Sequence, residues 1–230
     1  MLPLSLGRSK LDPSGKLKRS TARRMSTRLR IHVVVGSVRE GRVSHPIACW
    51  VRAAAIEQGR LDAELVDLAD WSLPMFALAK PPAMGAYEDP LQQRWAAKVE
   101  EADGYILVSP EYNHGPSAVL KNALDYIYPE WHRKPVAFVS FGNAGGARAV
   151  EQLRAIVVEL RMTPLSEAVH IFRAADKLRD GRFEADDKDN KQLARLFDSL
   201  VWWGQALQNA RRANATGTLD PTPCCKQSLP

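Results

Sequence analysis

Along this chain, short β-branched apolar runs alternate with stretches whose apolar residues recur every three or four positions. The first run is Ile31, Val33, Val34 and Val35, stopped by Gly36, and it predicts a buried strand. Helical periodicity begins near His45, with Ser44 placed to act as N-cap and Pro46 in the first turn, where a missing N–H costs nothing. Residues 63–68 alternate as a second strand, after a helix stop at Gly59. Residues 90–102 predict a helix, with Leu91, Trp95 and Val99 at four-residue spacing. Residues 105–109 form an apolar run too short for a helix, hence a third strand, followed by a helix over 117–128. Residues 135–141 read as a fourth strand and 147–160 as a helix that buries Val150, Leu153 and Leu160. A fifth strand is expected over 167–171, a turn over 180–183 and a closing helix over about 188–210.

Strand and helix alternate throughout, which specifies an α/β fold: a doubly wound, five-stranded parallel sheet with helices on both faces. In such sheets ligands sit beyond the carboxyl ends of the strands, at the topological switch point. The flavodoxin-like order 2-1-3-4-5 would bring three unusual loops together, at residues 36–44, 109–115 and 141–146. A long connection over 69–90 carries Trp71, Pro74, Phe76, Met84 and Tyr87. It is either a cover for a site or a surface meander.

Each of the three loops has its own chemistry. The first runs from a strand through Ser37, Arg39, Arg42 and Ser44 into a helix N-terminus. Free backbone N–H groups and the positive end of the helix dipole would face an anion there, and guanidinium forks match phosphate oxygens. Neither G-x-x-x-x-G-K-[ST] nor G-x-G-x-x-G occurs, so a single phosphate is expected rather than a nucleotide pyrophosphate. The second loop, from Pro110 to Pro116, offers the flat ring of Tyr112 and the amide of Asn113, which suit a planar heteroaromatic ligand. Glu111 reads as a turn or helix-end carboxylate and His114 as a solvent-facing loop histidine, with no Ser or Cys nucleophile paired to it. In the third loop Gly142, Gly145 and Gly146 let the backbone approach a ligand closely. Arg148, just beyond, is either a helix-surface residue or a guide for nicotinamide phosphates.

Charge refines the picture. The formal net charge is +6, yet nine of the 32 basic residues and only one of the 26 acids lie in residues 1–30. The rest is slightly acidic, so the folded part has no basic footprint for nucleic acid. Residues 1–29 are expected to be a disordered basic extension, 30–212 the folded domain and 213–230 a flexible tail. The extension is a solvated arm, an organellar presequence, or an overextended start with Met25 as the initiator. No apolar run approaches the ~20 residues of a bilayer span, and no signal-peptide core is visible. Cys49 is expected in the core, and the adjacent Cys224 and Cys225 lack metal-ligand spacing. These features point to a reducing, cytoplasmic setting with no membrane partner.

The combination GSVREGR, then SPEYNHGPSAVLKNALDYIYPEW, then FGNAGGARAVEQLR resembles the NADPH-dependent FMN reductase family, over about residues 30–170. That family has a flavodoxin-like fold and includes quinone, azo-compound and chromate reductases. The resemblance implies bound FMN, with NADPH or NADH as co-substrate and hydride passing through the flavin to a small acceptor such as a quinone, flavin, azo compound or metal oxyanion. By position, Ser37, Arg39, Arg42 and Ser44 match the region holding the FMN phosphate. Pro110, Glu111, Tyr112 and Asn113 match the segment along the flavin and ribityl chain. Ser140, Phe141, Gly142 and the following glycines, Gly145 included, match the loop near the ring. A homodimer or homotetramer is implied, and Tyr128 and Trp131 either join such an interface or pad the sheet. No side chain is expected to act as an acid–base catalyst, because the cofactor carries the chemistry. The rival reading is a flavodoxin-like electron carrier not reduced directly by NAD(P)H.

Overall fold

The computed structural model describes residues 28–216. Expectations for most of the basic extension and for the Cys224–Cys225 ending lie outside these residues. Five parallel strands pair in the order β2-β1-β3-β4-β5. They are β1 (Leu29–Val35), β2 (Leu61–Asp67), β3 (Gly104–Pro110), β4 (Pro135–Gly142) and β5 (Thr163–Phe172). The helices are α1 (Ser44–Glu57), the short α2 (Leu68–Trp71), α3 (Pro90–Glu100), α4 (Ala118–Asp125), α5 (Ala147–Glu159) and α6 (Asp187–Ala215).

The sheet has a core on each face, set by the two-residue period of its strands. Ile31, Val33 and Val35 of β1 pack with Ile47, Ala48 and Val51 of α1 and with Leu196, Leu200 and Val201 of α6. Val34, on the opposite face, joins Trp95 of α3, Leu120 and Leu124 of α4, and Leu153 and Val157 of α5. Trp131 is fully buried in this second core, so it pads the sheet and offers nothing to an interface. Its indole N–H donates to the Leu124 carbonyl at 3.2 Å, and that of Trp95 to the Ala123 carbonyl at 2.9 Å. These carbonyls belong to the last turn of α4, whose acceptors have no partner within the helix.

The connection over residues 69–90 is pinned on this same face. The Asn122 amide accepts from the Phe76 N–H at 2.8 Å and donates to the Pro74 carbonyl at 2.8 Å. Trp71, Leu73, Phe76 and Tyr87 pack against the second core.

Several elements depart from the sequence-based expectation for identifiable reasons. Cys49 is exposed, because Ile47, Ala48 and Val51 carry the buried face of α1 and Cys49 turns away with His45, one turn earlier. The fifth strand begins at Thr163, four residues early, running through Pro164. As the sheet's edge it can hold a proline without losing a ladder bond. The turn near Asp180 is flanked by an antiparallel hairpin of β6 (Leu178–Arg179) and β7 (Arg182–Phe183). Helical structure extends to Ala215 and strand structure starts at Leu29, so ordered elements overrun the expected domain limits at both ends.

Two glycines mark close approaches. At Gly204 of α6, a Cβ would run into the end of the Leu29 side chain, so the last helix rests directly on the first strand. At Gly36, a Cβ would lie 2.7 Å from the Val108 carbonyl oxygen, to which the Gly36 N–H donates at 2.9 Å. That contact sets how the first loop leaves the sheet. Gly36→Ala is expected to destabilise the fold by about 1–3 kcal/mol through overpacking, read as a lower melting temperature.

Candidate functional site

Register carries the three loops to one place. In the β1–β3 ladder Val35 faces Val108, and in the β3–β4 ladder Pro110 faces Phe141. The chain therefore leaves β1, β3 and β4 side by side, at the carboxyl edge where the strand order reverses.

The first loop ends in a helix without a side-chain cap. Val43, not Ser44, is the N-cap of α1, and it has an apolar side chain in helical geometry. Ser44 occupies the first helical position, fully buried, and its Oγ has no hydrogen-bond partner. The Nε of Arg42 is likewise buried and unpartnered. The other end of its guanidinium pairs with Asp67 at the end of β2. Asp67 also accepts from the Ala69 N–H at 3.0 Å, capping α2. This places two unsatisfied donors beside an uncapped, positively polarised helix end. Buried polar groups are normally hydrogen-bonded, so the arrangement fits an anion with several acceptor oxygens. Asp67 went unnoticed in the sequence reading, although β2 borders β1 and its last carboxylate must lie near the first loop.

The second loop is a tight hairpin. Tyr112 and Gly115 exchange both backbone bonds, at 2.9 and 3.0 Å, around Asn113 and His114, which have φ of 50° and 70°. Positive φ at both central residues is the type I′ geometry that twists with the flanking strands. Tyr112 hydroxyl and Ser37 Oγ share a hydrogen bond at 3.0 Å, linking the first two loops. The Arg39 guanidinium lies 5.8 Å from the Tyr112 ring centroid, within cation–π range. Ser37, Arg39 and Tyr112 thus meet, and Asn113 and His114 stand exposed at the tip.

Glu111 turns the other way. Its carboxylate accepts from the backbone N–H groups of Arg148 at 3.1 Å and Ala149 at 3.4 Å, and from Arg148 Nε at 2.6 Å. It is a helix-end carboxylate that caps α5 from another loop, where Gly146 provides no side-chain cap. Burial pushes the Glu111 carboxyl up, but the Arg148 guanidinium and the two N–H groups outweigh it and hold it below its ordinary value. Arg148 also reaches His114 Nε2 at 2.8 Å, so it braces the second loop against α5.

The third loop is packed against its own strands. Ser140 is fully buried, and its Oγ donates to the Gly145 carbonyl at 2.8 Å and contacts His170 Nδ1 at 3.0 Å. A Cβ on Gly145 would meet Phe172 at 2.9 Å, and one on Gly142 would meet Glu111 Cβ at 3.0 Å. Ser140 and Gly145 therefore shape the loop from beneath rather than line its rim. Pro110 is buried as the last residue of β3, and Phe141 is half-buried against the core.

Comparison with known proteins gives a consistent result. The profile of a family described as NADPH-dependent FMN reductase matches residues 29–176. An NAD(P)H-dependent FMN reductase of Schizosaccharomyces pombe is 37% identical over 184 residues, covering 78% of this chain and 91% of the relative. An FMN-dependent NADPH-azoreductase of Staphylococcus saprophyticus is 30% identical, covering 74% and 92%. Among solved structures, FerB of Paracoccus denitrificans, a flavoenzyme NAD(P)H:(acceptor) oxidoreductase, superposes with a TM-score of 0.63. It is 25% identical, over 77% of this chain and 98% of the other.

The Glu111 brace yields a pH prediction. Its depressed folded pKa contributes stability above the unfolded carboxyl value that disappears as pH falls through the folded value. Glu111→Gln should cost about 2 kcal/mol near neutral pH, the scale of a charged hydrogen bond. In thermal melts the gap to the unaltered protein should close progressively below about pH 4.

Proposed function

The chain belongs to the NADPH-dependent FMN reductase family, and from that premise we propose that it is an NAD(P)H-dependent FMN oxidoreductase acting on a small acceptor of the quinone, flavin or azo type. The observation that carries the cofactor reading is the buried, unpartnered Ser44 hydroxyl at the uncapped start of α1. A flavin mononucleotide ends in one phosphate, which needs this set of donors and no pyrophosphate cradle. Ser37, Arg39, Arg42 and Ser44 would hold that phosphate, with Asp67 orienting Arg42. The hairpin at Tyr112 and Asn113 would flank the flavin and ribityl chain, and the Phe141–Gly142 turn would border the ring. When bound, FMN supplies hydride acceptance from NAD(P)H and electron delivery to the acceptor.

The protein's own part is positional. Ser37 and Tyr112 hold two loops in register, and the Glu111–Arg148 brace fixes the hairpin against α5. The proposed reading needs no general base, and the histidines beside the loops already have partners: His114 meets Arg148, His170 meets Ser140 and His45 lies 3.7 Å from Cys49 Sγ. Among the described residues no helix is long and apolar enough to cross a membrane. The exposed apolar side chains Met75, Met84 and Trp202 support assembly as a homodimer or homotetramer, and a cytoplasmic setting remains part of the proposal.

An anaerobic visible spectrum tests the activity. Oxidised-flavin bands should bleach on adding NADPH and return with a quinone. Bands that persist with NADPH but bleach with dithionite would instead indicate an electron carrier. The phosphate assignment has its own test in Ser44→Ala. Removing one hydrogen bond to a charged group should weaken FMN binding by about 1.5–3 kcal/mol, roughly tenfold to a hundredfold. The flavin-free protein should melt no lower, since an unsatisfied buried hydroxyl is lost.

A further inference from the structure

A second constellation lies well away from the three loops, on the face of the sheet beneath α3. Parallel pairing sets His32 of β1 directly opposite Glu64 of β2, with both side chains on one face. Glu101, the C-cap of α3, comes down over the same point. Ligating atoms of the three residues lie within 4.8 Å of one another. His32 is 1% exposed, and its Nε2 has no hydrogen-bond partner, while it sits 3.5 Å from Glu64 Oε2. The two carboxylates stand at the mouth, exposed to solvent, beside a surface cleft of about 520 Å³ that they line with Arg30, Arg52 and Asp62.

We propose that His32, Glu64 and Glu101 form a binding site for a divalent transition cation of the zinc type. The Lys98 ammonium now bridges Glu64 and Glu101, the latter at 3.0 Å, which shows that the position accepts positive charge. An ammonium satisfies the carboxylates and leaves His32 Nε2 without a hydrogen-bond partner. One imidazole nitrogen with two carboxylate oxygens is a donor set that suits zinc, whereas calcium and magnesium prefer oxygen alone. Burial, assisted by Lys98, lowers the His32 pKa to about 4, so the ring is in its neutral, ligating form. Zinc–ligand bonds of about 2.0–2.2 Å require only that the two exposed glutamate side chains close in and that Lys98 swings into the cleft. Once bound, the ion would tie β1, β2 and the end of α3 together. His32 precedes Gly36 by four residues, roughly 13 Å of strand, so the site is separate from the proposed flavin site and does not rest on it.

The test titrates the purified full chain with cobalt(II) and zinc(II), following cobalt absorption and thermal melting. One cobalt should bind per chain without the intense sulfur-to-metal band that cysteine ligation gives. The melting temperature should rise with free zinc, as mass action requires. Glu64→Gln and Glu101→Gln, both at exposed positions, should fold normally and lose affinity by at least about tenfold. Lys98→Met, which removes the competing cation, should gain affinity. The proposal is overturned if the natural chain shows no saturable binding, if binding is confined to Lys98→Met, or if both glutamine variants bind like the natural chain.

Discussion

The helix that follows the glycine loop has no cap of its own, and the site is organised around how that deficit is met. Four N–H groups open every helix without partners, and Gly146 has no side chain to offer α5. Glu111 supplies the acceptor from a different loop, held in place by Arg148. One buried carboxylate therefore fixes the exit of β3, the start of α5 and, between them, the turn that leaves β4. The Ser117 hydroxyl does related work for the first loop: it caps α4 at the Leu120 N–H and donates to the Gly36 carbonyl. Caps that cross between loops make the three strand ends one rigid rim.

The start of α1 follows the opposite logic. Its N-terminus is left uncapped and its nearest hydroxyl unpaired, an arrangement costly in an isolated fold. The cost is offset when an anion binds, so affinity there is set by what the folded chain leaves unsatisfied. Asp67 keeps this from collapsing: it pairs one end of Arg42 and leaves Nε facing inward. The same carboxylate caps α2, joining the first loop to the connection over residues 69–90.

Four of the strands were legible as short apolar runs and β2 from its alternation, while their order came from the flavodoxin-like pattern that such strand–helix alternation suggests. Ser37, Arg39, Arg42 and Tyr112 were legible because hydroxyl, guanidinium and aromatic groups cluster at strand ends. What the sequence hid depends on direction rather than position. Whether Cys49 faces in or out is decided by about a third of a helical turn. Ser44 read as a cap, and one residue of phase makes it an orphan instead. Glu111 and Ser140 were expected along the cofactor, but their side chains point into the scaffold, which only the partners Arg148 and His170 reveal. Asp67 and Ser117 act across 25 and 81 residues of sequence, distances at which no local pattern speaks.

The contact between Gly204 and Leu29 joins the last helix to the first strand, and it sets an order for synthesis on the ribosome. The core face under α3, α4 and α5 can be assembled as soon as β5 has emerged. The other face of β1, carrying Leu29, Ile31 and Val33, is covered only in part, by α1, until α6 is made and laid across it. A nascent chain stopped short of Gly204 is thus a sheet with one finished side and one half-covered, adhesive side, a natural client for chaperones. Its last helix works as the closing piece, and the speed with which that piece docks decides how long the adhesive side is exposed.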